Sequence, residues 1–137
     1  MLTIFATPKP FKGHDGIIQR NAIGSWVRLH PDCEVILFGD ETGTAEVAEE
    51  LGARHVPHVL RSEFGTKRLD YMFACAQEMA KHGRVCYANS DMILLPSFSQ
   101  AVDKVKASMV RVGCSKAQAA PIAVCLYRTL TSRQTKK

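Results

Sequence analysis

The stretch 84–95, RVCYANSDMILL, decides how the chain is read. Apolar and β-prone residues run from Val85 to Ala88, and the polar cluster Asn89-Ser90-Asp91 follows at once. Met92 to Leu95 resume the apolar run and Pro96 closes it. So hydrophobic a run reads as a strand covered on both faces, the kind found inside a parallel sheet. An unpaired carboxylate is costly in an apolar setting. Asp91 is therefore expected where the strand emerges at the carboxyl edge of the sheet, the edge at which open α/β sheets bind their ligands.

On either side of this stretch strands and helices alternate. Leu2–Thr7 is a short apolar strand, and Pro8–Gly16 a loop that exposes Lys9, Lys12, His14 and Asp15. From Ile17 the period becomes helical, with Ile18, Ala22, Trp26 and Leu29 on one stripe and Pro31 as the stop. Glu34–Phe38 is a buried strand ending in Gly39-Asp40-Glu41. Thr42 or Thr44 is expected to cap a short helix that closes at Gly52 in the left-handed conformation. Arg54–Val59 is a weak strand interrupted by Pro57, and a long helix is expected over Thr66–Lys81. After the 84–95 stretch, Ser97 and Gln100 have the spacing of a capping box. The order β-α repeated four times predicts an α/β fold: a mostly parallel sheet of about four core strands with flanking helices.

Composition bounds the function classes. Of 137 residues, 46% are hydrophobic and 23% charged, as in an ordinary globular domain. The net charge of +5 is not spread along the chain. Residues 1–109 sum to −1, whereas the last 28 residues hold six Lys+Arg and no acid, for +6. Basicity thus belongs to the end of the chain, and no basic stripe interleaved with aromatics points to a specific nucleic-acid partner. The domain is read as 1–108, with 109–137 a basic, divergent tail, read as a disordered end apart from a candidate strand at Ile122–Tyr127. Five cysteines include no C-x-x-C pair and read as reduced thiols. MLTIFATPKP lacks the features of a signal peptide, and no apolar run approaches a bilayer-spanning length. The expected location is cytoplasmic.

Three segments, in order, carry a resemblance to a known family. The opening strand into TPKPF with IIQRNAIGSW, the strand EVILFGDE, and EFGTKRLDYMF followed by RVCYANSDMILLP together resemble the nucleotide-sugar half of GT-A-fold glycosyltransferases, bacterial family-2-like enzymes in particular. The likeness covers about Met1 to Val105 and implies a Rossmann-like sheet of GT-A type. It implies a nucleoside-diphosphate sugar as the partner, transferred to a glycan, lipid or protein acceptor, with Mn²⁺ or Mg²⁺ as cofactor. Asn89-Ser90-Asp91 stands where that fold has its D-x-D motif, so Asp91 and Asn89 would be the metal ligands. Asp40 would face the nucleoside, Arg68 and Asp70 would lie along the donor, and Thr7 and Pro8 would shape the base pocket. With Asn89 in the first position, one carboxylate stands where the family has two.

In that family the acceptor site and, in inverting enzymes, the catalytic base come from the chain after the metal strand. A base needs a group that takes a proton near neutral pH. Residues 104–137 contain no Asp, Glu or His, so no catalytic residue is identified. The expectation is a truncated or divergent copy, with a non-catalytic nucleotide-binding or regulatory module of the same fold as the alternative. A third reading gives the strand ends no role beyond turns. His55 and His58 are set aside as a metal pair, because Pro57 lies between them and i, i+3 on a strand faces opposite sides. Trp26, Cys75 and Cys86 read as core.

Overall fold

The computed structural model describes residues 2–111 and 122–126, with side chains through Ser108. The elements are β1 (Thr3–Ala6), α1 (Gly13–Val27), β2 (Glu34–Phe38), α2 (Thr44–Leu51), β3 (Arg54–Val56), α3 (Leu69–Met79), β4 (Arg84–Ala88), α4 (Pro96–Arg111) and β5 (Ile122–Leu126). Every strand pairing is parallel, and the sheet order is β3-β2-β1-β4-β5. The alternating α/β fold expected from the sequence is the fold observed. β5 adds a fifth strand beside β4 within the stretch read as a tail. The rest of that tail beyond Arg111 lies outside the described residues.

The strand period of two divides the core into two layers. Ile4 and Ala6 of β1, Val35 and Leu37 of β2, and Cys86 and Ala88 of β4 face α1, α2 and α4, where Ala22, Ile23, Trp26 and Ala48 meet them and Phe98 and Val102 pack alongside. Phe5, Ile36, Phe38 and Val85 face α3 through Met72 and Ala76. On this second face Phe5 is the hub of an aromatic group. Its ring lies 4.8 Å from Phe73 and 5.7 Å from Phe38, both edge-on, and 5.5 Å from Tyr87. Trp26 and Cys86 are fully buried, as core residues should be, and Cys75 is half-buried against the second layer.

The boundaries differ from expectation at sites where polar partners intervene. The run after β4 does not continue as a strand. Met92–Leu95 instead crosses α1, where Trp26 Nε1 donates to the Met92 carbonyl at 2.7 Å and the Leu94 N–H donates to Ser25 Oγ at 3.0 Å. Leu94 is buried, while Ile93 and Leu95 face solvent. α1 starts at Gly13, earlier than Ile17. α3 starts only at Leu69, because Lys67 is held in an antiparallel bridge to Arg61. β3 stops at Val56, before Pro57. Neither expected cap forms. Gly43, not a threonine, precedes α2, and Thr44 is buried inside its first turn with no hydrogen bond to Oγ1. Pro96 takes the first position of α4, which suits a residue without an N–H, and Ser97 is already helical. Gly52 does close α2 in the left-handed conformation, at φ 72°.

Phe5→Ala removes the ring on which three others converge. The expected loss is about 3–5 kcal/mol of unfolding free energy, as for large-to-small changes at buried aromatics, read from the urea midpoint at an unchanged slope.

Candidate functional site

In a parallel sheet with both faces covered, side chains able to meet a ligand are confined to the strand ends. At the carboxyl edge, β1 runs into Thr7-Pro8, β2 into Gly39-Asp40-Glu41 and β4 into Asn89-Ser90-Asp91. The chain steps from β1 to β2 and β3 on one side and returns to β4 on the other. The β1/β4 junction is therefore the topological switch point, where strand ends diverge and leave a crevice.

An open cleft of about 440 Å³ lies at this edge, lined among others by Thr7, Pro8, Glu41, Arg61, Lys67 and Tyr87. Its floor is an ionic chain. Lys67 Nζ donates to Thr7 Oγ1 at 2.9 Å and pairs with Glu41 Oε1 at 2.8 Å, while Arg61 Nη2 stands 3.6 Å from the same oxygen. The Lys67 side chain is only 13% exposed. It reaches this position by crossing Gly39, where a Cβ would sit 2.6 Å from Nζ and where φ is +109°. The positive φ favours glycine at the end of β2, and a Cβ there would make the Lys67 side chain shift. The hydrogen bond from Lys67, with the nearby cationic charges of Lys67 and Arg61, holds the Glu41 carboxyl below its usual range.

The far side of the switch point is tied to the near side through α1. Gln19, 3% exposed, accepts the Lys9 N–H at 2.7 Å and donates to the Lys9 carbonyl at 3.0 Å. Its Oε1 also accepts the Ser90 hydroxyl at 2.8 Å. One buried amide thus joins the loop after β1 to the loop after β4.

The sequence-derived candidates distribute unevenly over this edge. Thr7 and Pro8 line the cleft. Asp40 follows β2 with an exposed side chain, and its neighbour Glu41 takes the cleft-lining position. Asn89 is half-buried and Asp91 exposed, both on the turn after β4. Asp40 and Asp91 therefore belong to the two strands that flank β1. Arg68 and Asp70 are exposed and engage each other at 2.6 and 3.2 Å, outside the residues lining the cleft. The Arg68 guanidinium, with the Tyr71 backbone, keeps the Asp70 carboxyl below its ordinary value. Among the described residues no three His, Cys, Asp or Glu gather as a metal cluster. His55, not part of any such cluster, bonds the Gly39 carbonyl through Nε2 at 2.7 Å.

Sequence reasoning missed Glu41, Lys67 and Gln19. For Gln19 a signal existed: it occupies the i position of a stripe continued by Ala22, Ile23 and Trp26, so a polar residue stood at a core site.

The Glu41 pairing has a pH consequence. A carboxyl with a depressed folded-state pKa stabilises the fold above its unfolded value and loses that contribution as pH falls through the folded one. Between about pH 5 and pH 3, the native chain should lose more stability than Lys67→Met, in which the main partner of Glu41 is gone. Urea unfolding across that range measures the difference, and equal slopes against pH would remove Lys67 as the cause.

Comparison of the chain with models of known families, with curated proteins and with solved structures finds no match.

Proposed function

We propose that the carboxyl edge of this sheet binds a nucleoside-diphosphate sugar together with a divalent cation, in a domain of glycosyltransferase type. The observation that carries the reading is the switch point itself, with Thr7-Pro8 on one bank and Asn89-Ser90-Asp91 on the other. The resemblance in the segments TPKPF, EVILFGDE and RVCYANSDMILLP supports it by supplying the same order of strand ends. Two strand spacings, about 10 Å, separate the exits of β2 and β4. In this reading the ligand lies across β1, with its base toward Thr7 and Pro8 and its ribose toward Asp40. Glu41 and Lys67 then keep the floor of the cleft rigid, since each neutralises the other.

The donor chemistry at Asn89 and Asp91 suits a hard cation. A carboxylate and an amide oxygen are the ligand types that Mg²⁺ and Mn²⁺ accept, and such ions commonly take few protein ligands and complete their shell with phosphate and water oxygens. The cation would neutralise charge on the departing diphosphate. Asn89 and Asp91 would hold it; Ser90, engaged by Gln19, would fix the turn between them.

A second reading, binding without turnover, is favoured by one observation. Residues 104–137 offer no Asp, Glu or His to serve as base toward an acceptor. Binding and transfer are separable, and the binding step comes first.

Calorimetric titration with UDP and with GDP, each with and without Mn²⁺, tests the proposal. One nucleotide is expected to bind more tightly with Mn²⁺, and Asp91→Ala to lower that metal-supported affinity by at least about tenfold, the smaller effect seen when groups that merely support metal ligands are removed. A folded chain that binds neither nucleotide under any condition would overturn the reading. Binding without sugar release or transfer would select the non-catalytic form.

A further inference from the structure

We infer that Gln19 is a positioning residue that couples the two banks of the switch point, so that the loop after β1 and the loop after β4 order together. For its binding arm the inference rests on the reading above; its mechanical arm does not.

Both polar atoms of the Gln19 amide are engaged by these two loops. Its side chain is buried in an otherwise apolar stripe of α1, where an unsatisfied amide would be costly. The structure meets that cost with three hydrogen bonds, two to the Lys9 backbone and one from Ser90. The two bonds to Lys9 engage both the N–H and the carbonyl of one residue, which fixes the amide plane and the peptide together. With the amide so fixed, Oε1 has one remaining direction in which to accept, and Ser90 occupies it. Ser90 is therefore held in a position set by Lys9, 81 residues away in sequence, through the one Gln19 amide that both engage. Because Ser90 lies between Asn89 and Asp91, any displacement of Lys9 reaches the candidate cation ligands. The segment beyond is anchored to the same helix, at Trp26 and Ser25, which holds the β4 loop against α1.

A purely structural Gln19 would stabilise the core and leave the loops independent. A coupling Gln19 makes a change at Ser90 felt at Lys9. Ser90 is half-buried in a turn, and Ser90→Ala removes one hydroxyl without opening the core. In Ser90→Ala the Lys9 amide, resolved by NMR, is expected to exchange its hydrogen about three- to tenfold faster, the factor matching one hydrogen bond of ordinary net worth. Ser90→Thr, which keeps the hydroxyl, should restore the native rate. An unchanged or slower Lys9 amide in Ser90→Ala would overturn the inference. In the binding arm, Ser90→Ala should weaken UDP or GDP, titrated without Mn²⁺, by a similar three- to tenfold, although the hydroxyl is on the opposite bank from Thr7 and Pro8. Unchanged metal-free affinity would confine the coupling to the free protein and overturn its role in binding. Should the native chain bind no nucleotide, the reading of the site falls, and the exchange rate of Lys9 alone decides the role of Gln19.

Discussion

The central strand β1 is buried along its whole length, with a neighbouring strand at each edge and helices over both faces. From Leu2 to Ala6 no side chain of this segment reaches solvent, because α1, α2 and α4 cover one face of the sheet and α3 the other. A strand enclosed in this way forms its ladders with β2 and β4 and leaves no lateral surface for chemistry. Polar groups are driven to the two ends, and the difference between those ends organises the molecule.

At the amino edge the polar groups close on themselves. Glu34, 8% exposed, accepts from Thr3 Oγ1 at 3.0 Å and from the Lys81 N–H at 3.1 Å, and pairs with Arg54 at 3.3 Å. Arg54 in turn donates to the Met79 carbonyl at the end of α3. This network joins β1, β2, β3 and α3, and its members satisfy each other as a buried carboxylate requires. The carboxyl edge is built differently. Its ionic floor of Thr7, Lys67 and Glu41 is partly open to the cleft, and its turns display Asp40 and Asp91 to solvent. One edge is a fastening; the other leaves polar groups open to solvent.

The fold was legible because it rests on periodicity. Ile4, Val35 and Leu37, and the stripe Ala22, Ile23 and Trp26, announce strand and helix through spacing alone, and Gly52 announces a left-handed turn through its lack of a Cβ. Errors arose where a local pattern had a distant partner. The run Met92–Leu95 has the composition of a strand, but Trp26 and Ser25 satisfy its backbone instead of a neighbouring strand. Thr66–Arg68 has helical neighbours, yet Lys67 is drawn out to Arg61, Glu41 and Thr7. The candidate site was legible to the extent that strand ends were: apolar runs stop at Thr7-Pro8, at Asp40 and before Asp91, and only the family resemblance gave Thr7, Pro8 and Asp40 a role. Lys67 and Glu41 did not follow, since nothing local marks a lysine that crosses a glycine from 28 positions away.

The chain contains a single tryptophan, and that residue is Trp26. Its indole is fully buried and donates to the carbonyl of Met92, the residue after Asp91. Indole emission depends on the polarity and hydrogen bonding around the ring, so the tryptophan fluorescence of this protein arises from one place, directly behind the β4 turn. The molecule carries its own optical reporter there, and any event that draws the turn away from α1 changes the colour or intensity of its light with no label attached.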